Sequence, residues 1–326
     1  MTASPNPSPF AAAPTFPGIH HVTMLAGDAQ RNLDFYVGTL GLRLVKRTVN
    51  FDDPTTYHLY YGDALGRPGT LLTFFPWPGA RRAQRGSGAI ESVALAVPPS
   101  SLDAWRTRLD DAGVAHTAIE RFGTDGLAFD DPDGLRLELV ATGDDDADPA
   151  IQRVDTVTLR LREAAPSAAF LRDVLGFHDA TRDGLHQRLA FADGGPSARV
   201  DLIEDPTTAR ARGGAGGVHH LAFRVTDDAA QGAWQDRIAQ AGHHVTAVQD
   251  RSYFRSIYFR EPGGVLYEIA TDPPGFTRDE PAASLGAGLQ LPAWFEGRRA
   301  EIEAALPPLR DAASPPITTT HPEVQP

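Results

Sequence analysis

A short apolar strand pattern recurs four times along the chain, each copy followed by a helical segment and further strands, which is the mark of a duplicated supersecondary unit. The copies are GIHHVTMLA from Gly18, AIESVALAV from Ala89, RVDTVTLRL from Arg153 and GVHHLAFRV from Gly217. Behind the first and third come NLDFYVGTLGL and SAAFLRDVLGF, sharing Phe35/Phe170, Leu40/Leu175 and Gly41/Gly176, with glycine suited to ending a helix. Behind the second and fourth come AWRTRLDDAG and AWQDRIAQAG, matching at Trp105/Trp234, Arg108/Arg237 and Gly113/Gly242. Tight turns follow at Asp130 to Gly134 and Arg260 to Gly264, where proline and glycine fix a hairpin reversal.

The pattern predicts an α+β fold of four βαβββ modules, at residues 17–80, 88–142, 152–205 and 216–272. A curved sheet of one module's size buries only one face, so modules must pair, and two open barrels are expected. The acidic stretch GDDDADPA, 143–150, is the natural joint between halves. A tail, 273–310, carries a helix candidate from Pro292 to Leu306, with Trp294, Phe295, Ile302 and Leu306 near a 3.6-residue period. Residues 1–16 and 311–326, broken by proline throughout, read as disordered arms.

Composition narrows the function classes. With 326 residues, 41% hydrophobic and 22% charged, the chain affords a sizeable core. A net charge of −12 without a basic stripe excludes nucleic acid and anionic membrane surfaces as partners. The absence of cysteine removes disulfides, thiolate metal sites and thiol nucleophiles, leaving His, Asp and Glu as metal ligands. Neither a signal peptide nor a membrane-length apolar run is visible, so a cytoplasmic protein is expected. There is no GxSxG, and the glycine clusters follow neither phosphate-loop pattern.

Strand alternation puts His21 with Thr23, and His220 with Ala222, on one face, and sends His20 and His219 to the other face or the strand edge. A strand histidine is usually a packed core residue, but the repeat supplies an internal control. At the place of His21 and His220, module two has Ser92 and module three has Thr156. Glu268, in an apolar strand after the module-four hairpin, is costly unless paired or metal-bound. Glu138 and Asp201 stand at its place in modules two and three and are readable as repeat relics, while module one has Thr73. Two histidines and one carboxylate leave adjacent metal positions open for a substrate oxygen and O₂, as non-haem Fe(II) oxygenases require.

The modules resemble the vicinal oxygen chelate superfamily, and YFREPGGVLYE, Tyr258 to Glu268, is similar to its extradiol dioxygenase signature, with tyrosine ten residues before the metal-binding glutamate. Module two has Ala128 at the tyrosine's place. Arg251 stands where catechol-cleaving members carry histidine, and this, with LRLVKRTVNFDDPTTYHLYYGD, GRPGTLLTFFPW, PPGFTRDEP and LQLPAWFEGRRAEIEAALPPL, resembles the hydroquinone-cleaving branch from about Gly18 to Leu309. The resemblance implies a ring-cleaving dioxygenase taking hydroquinone-like aromatic diols and O₂, with a metal barrel of modules one and four and a metal-free half of modules two and three. It implies Fe(II), or alternatively Mn(II), on His21, His220 and Glu268, surrounded by Thr23, His20, His219, Arg251 and Tyr258.

In that reading Arg251 steadies an anionic substrate, Tyr258 hydrogen-bonds a substrate oxygen or passes a proton, and His219 or His20 shuttles protons. His20 and His219 read equally well as packing residues, and Tyr258 as a plain strand aromatic. Two rivals share the fold: a glyoxalase-type metal isomerase, which uses two carboxylates, and a metal-free small-molecule binding or resistance protein. His58 reads as a structural strand histidine with pocket lining as the alternative, His243 and His244 as a solvated edge, and Phe276 as a cavity cap or tail packing. An acidic surface with large sheets is compatible with a homo-oligomer.

Overall fold

Each apolar copy opens a module in the computed structural model, which describes residues 16–145, 149–191 and 198–312. Module one comprises β1 (Ile19–Ala26), α1 (Ala29–Leu33), β2 (Arg43–Val49), β3 (Tyr57–Gly62) and β4 (Leu71–Pro76). Module two comprises β5 (Ala89–Ala96), α2 (Leu102–Asp111), β6 (His116–Arg121), β7 (Thr124–Asp130) and β8 (Arg136–Val140). Module three comprises β9 (Arg153–Leu161), α3 (Ala165–Ala169), β10 (Phe177–Asp183), β11 (His186–Phe191) and β12 (Arg199–Glu204). Module four comprises β13 (Val218–Val225), α4 (Asp228–Gln240), β14 (Gln249–Asp250), β15 (Arg255–Arg260) and β16 (Leu266–Thr271). Of the expected disordered arms, 1–16 and 311–326, residues 1–15 and 313–326 lie outside the described residues, as do 146–148 of the acidic joint. Phe16, however, is no part of a disordered arm: it is fully buried with its ring stacked on Trp234 (4.1 Å).

The modules pair first with fourth and second with third, in two eight-stranded sheets ordered β14-β15-β16-β13-β1-β4-β3-β2 and β10-β11-β12-β9-β5-β8-β7-β6. The joins are antiparallel, β1 on β13 and β5 on β9. Helices cover the outer faces. In α4, Gln231, Trp234 and Ile238 form the buried stripe, the Asp227 carboxylate caps the first turn at Ala230 N (2.8 Å), and Gln231 fastens the helix by donating to the carbonyls of Arg255 and Ile269. Truncating fully buried Trp234 to alanine would remove about 3–5 kcal/mol of packing.

Two expected helices differ in form. After α1 and α3 the chain widens into π-helical turns, Asp34–Thr39 and Phe170–Val174, in which Leu40 N reaches Phe35 O (2.9 Å) and Leu175 N reaches Phe170 O (3.1 Å). The extra residue per turn keeps both bulky ends of each segment against the sheet before Gly41 (φ 71) and Gly176 (φ 78) end it in the left-handed region. The tail helix is shorter than its pattern: α5 spans Arg299–Ala305, buries Ile302, and follows a 3₁₀ turn at Glu296–Arg298. Gly297 weakens the expected first turns, and Trp294 is left 53% exposed with its edge on Phe51 (5.5 Å). The preceding tail segment is pinned from inside the barrel: the Lys46 ammonium, fully buried, pairs with Asp279 and Glu280, and Tyr253 also donates to Asp279 (2.9 Å). Among the described residues no helix is long and apolar enough to cross a membrane.

Candidate metal centre

Register decides which side chains converge. Across the first sheet one row runs Tyr258, Glu268, Ala222, His21, and the next runs Tyr60, Thr73, Thr23, His220. His21, His220 and Glu268 therefore meet diagonally on the concave face, their ligand atoms all within 4.8 Å of one another. His220 Nε2 lies 2.8 Å from Glu268 Oε2, His21 Nε2 lies 3.5 Å from the same oxygen, and the two Nε2 atoms are 3.2 Å apart. Glu268 is fully buried; Ser256 donates to its Oε1, whereas Oε2 has no aligned donor despite the two close nitrogens. Two imidazoles and a carboxylate oxygen aimed at common ground fit a divalent first-row metal ion.

His20 and His219 do not sit as strand alternation dictates. Each is the extra residue of a β-bulge, one where pairing jumps from Ile19 to His21, the other where Thr23 faces His220 and Met24 faces Val218. A bulge turns neighbouring side chains toward each other. Hence His20 Nδ1 meets His21 Nδ1 at 2.9 Å and His219 Nδ1 meets His220 Nδ1 at 2.7 Å, leaving both inner Nε2 atoms free toward the centre. Second partners of this kind fix ring orientation and tautomer.

Burial lowers His20, His219 and His220, while Glu268 is held ionised. Burial holds His220 below the ordinary range, partly offset by Glu268; burial, then His21, puts His20 well below it. His219, whose outer edge is exposed, falls to about 4 through desolvation of its inner edge and the neighbouring His220. Burial pushes Glu268 up, but His21 and His220 outweigh it and hold the carboxyl well below the usual range.

A cavity adjoins the three residues. Tyr258 and Arg251 line it, with Arg251 Nε donating to the Tyr258 hydroxyl (3.1 Å) and its guanidinium 3.5 Å from Asp52. Burial, then the charge of Glu268, raises Tyr258 above the usual phenol range against the opposing pull of Arg251. Phe254 and Phe75 add apolar walls. Thr23, His20 and His219 stand outside this lining: Thr23 Oγ1 bonds Thr73 Oγ1 (2.7 Å). Sequence reasoning left His58 mainly to a structural role, yet it lines the cavity, fully engaged between Tyr60 OH (2.8 Å) and Thr73 Oγ1 (2.9 Å), and burial holds it neutral. Phe276 packs behind the wall on Tyr60 and Tyr253, 5.1 Å from each ring centre.

The second sheet shows what the same positions do without ligating histidines. Glu138, at the place of Glu268, is paired with Arg121 (3.0 Å), and Asp201, at the place of Thr73, takes a bidentate pair from Arg188 (2.8 Å each). Guanidinium groups balance the carboxylates there, so both acids are paired structural residues.

A sequence profile of the Glyoxalase/Bleomycin resistance protein/Dioxygenase superfamily matches residues 18–139 and 153–269, and the chain belongs to that superfamily. It is 45% identical over 301 residues to the Bacillus subtilis (strain 168) protein named "Putative ring-cleaving dioxygenase MhqO", covering 89% of this chain and 96% of that one. It is 35% identical over 306 residues to the chlorohydroquinone/hydroquinone 1,2-dioxygenase of Sphingobium indicum, covering 87% and 94%. A crystal structure of a Bacillus subtilis protein described as a "putative dioxygenase" superposes with a TM-score of 0.86 at 44% identity, over 91% of this chain and 99% of that one.

Proposed function

We propose that this chain is a ring-cleaving dioxygenase that opens hydroquinone-like aromatic diols with O₂, using Fe(II) held by His21, His220 and Glu268. The observation that carries the reading is the buried trio of two imidazoles and one carboxylate beside a cavity walled by aromatic rings, in a chain similar to ring-cleaving dioxygenases over nearly its whole length. Bound there, a redox-active metal with open positions supplies a meeting point for one diol oxygen and O₂ and a route for electrons between them.

The chain's own residues do the rest. Arg251, always cationic, sits where a diol anion enters and balances its charge in a desolvated site. Because Arg251 donates to the Tyr258 oxygen, the tyrosine's own O–H is free to point at a substrate oxygen, and its raised pKa keeps that proton in place at neutral pH. Phe254 and Phe75 offer ring faces to an aromatic substrate and limit water. His20 and His219 hold the two ligand imidazoles by their Nδ1 atoms. Thr73 occupies the place where an isomerase of this fold needs a second carboxylate, and it is bound to Thr23 and His58, which favours oxygenase over isomerase chemistry.

The test is anaerobic purification, metal analysis, and oxygen uptake with hydroquinones, catechols and a methylglyoxal–glutathione mixture side by side. The reading expects one metal per chain and oxygen consumption with hydroquinones. Isomerase turnover without oxygen uptake, or full hydroquinone turnover by the Glu268→Gln variant, overturns it.

A further inference from the structure

A second concavity lies behind the metal centre, on the seam between the two sheets. The segments linking module one to two and module three to four pair through their backbones there, Gln84 with Arg212 (2.9 and 3.0 Å) and Ser87 with Ala209 and Ala211 (2.8 and 3.0 Å). Together with the two module hairpins they enclose a cleft of about 200 Å³. Five arginines line it: Arg85, Arg136, Arg210, Arg212 and Arg260. The single lining acid, Glu91, is taken by Arg160 (3.0 Å), and Arg85 and Arg136 share one carboxylate oxygen of Asp130 (2.7 and 2.8 Å). Among the described residues Arg210, Arg212 and Arg260 have no carboxylate within 4 Å, and Arg260 donates only to the Gly264 carbonyl (2.8 Å).

This concentration of positive charge stands on a chain whose net charge is −12, so it is local and not a consequence of composition. Unpaired guanidinium groups held on a rigid backbone seam are suited to bidentate recognition of carboxylate or phosphate. His219 forms part of the same wall. If His220 holds a metal through Nε2, its Nδ1–H donates to His219 Nδ1, and His219 must then carry its proton on Nε2, a further donor available to the cleft.

We propose that this cleft is a binding site for a small multivalent anion, recognised through its carboxylate or phosphate groups by Arg210, Arg212 and Arg260. The His219 contact rests on the metal reading above, but the arginine site does not, and its test requires neither metal nor oxygen. The full-length protein is titrated calorimetrically at low ionic strength with inorganic phosphate and, separately, with succinate.

Saturable binding of at least one probe is expected, weakened by added salt. Loss of affinity of about tenfold per arginine removed is expected in Arg210→Ala/Arg212→Ala, and about tenfold in Arg260→Gln. The probe that binds identifies a phosphate or a carboxylate ligand. These side chains are exposed, so the variants are expected to keep the wild-type melting temperature. Arg106→Ala, an exposed helix arginine paired with Asp103, serves as the control and should bind as wild type. Absence of saturable binding of both probes, equal affinity in the double variant, or equal loss in the Arg106 variant overturns the proposal.

Discussion

The Glu268→Gln substitution tests the metal centre through stability, independently of turnover. The change keeps the shape of the side chain and the Ser256 hydrogen bond, but it removes the one negative charge between His21 and His220. A ligand present at about 100 times its dissociation constant stabilises the native state by about 2.7 kcal/mol. For 326 residues the unfolding entropy is about 0.7 kcal/mol/K at about 2.1 cal/mol/K per residue. Metal should therefore raise the wild-type melting temperature by about 4 °C. A fiftyfold weaker site at the same metal concentration retains about 0.65 kcal/mol, or about 1 °C. The assay is anaerobic thermal denaturation of metal-free protein titrated with Fe(II) and with Mn(II), with bound metal counted after desalting. An unchanged metal-induced shift in the variant, or no shift in the wild type, refutes the assignment of these three residues.

Other outcomes follow from the same geometry. Tyr258→Phe removes only the hydroxyl beside Arg251, and kcat/KM for a hydroquinone should fall by about 10²-fold while the metal-induced melting shift stays at the wild-type value. Arg188→Met strands the buried Asp201 carboxylate and should lower stability by about 3–5 kcal/mol in urea denaturation, whereas adding Asp201→Leu should recover most of that loss. Burial raises Asp131 to about 6 despite the hydrogen bonds it accepts from Leu135 N and Tyr36 OH. A folded-state pKa above the unfolded 3.8 means the native state binds the extra proton, so its contribution is complete below about pH 4 and is lost as pH rises through about 6. Asp131→Asn should flatten the melting-temperature profile across that window relative to the wild type.

The modular fold was legible because strand period, helix-ending glycines and Pro/Gly hairpins repeat in register, and because a chain containing four copies carries its own comparison. That comparison also singled out the trio the structure brings together, His21, His220 and Glu268, by asking which copies have histidine where others have Ser92 or Thr156. The bulges were not legible. One extra residue in a strand leaves no mark in composition, so period-two reasoning sent His20 and His219 the wrong way. His58 was underweighted because TYHLYYG is aromatic on both faces and its alternation is masked. A signal was available: His186 stands as far before Asp201 as His58 stands before Thr73. The cavity wall supplied by Asn50 to Asp52 lies between strands, where no periodicity applies.

The same pairing irregularity occurs in the second sheet, where Glu91 and Asp155 are the inserted residues. All four modules thus inherit the same backbone bulge one residue before the His21 position, irrespective of the side chain it carries. In one half the bulges hold imidazoles set against His21 and His220; in the other they hold acids, of which Glu91 is paired with Arg160. Exchanging one chemistry for the other requires new side chains only, which makes the quiet half a ready scaffold for building a second centre without rebuilding the sheet.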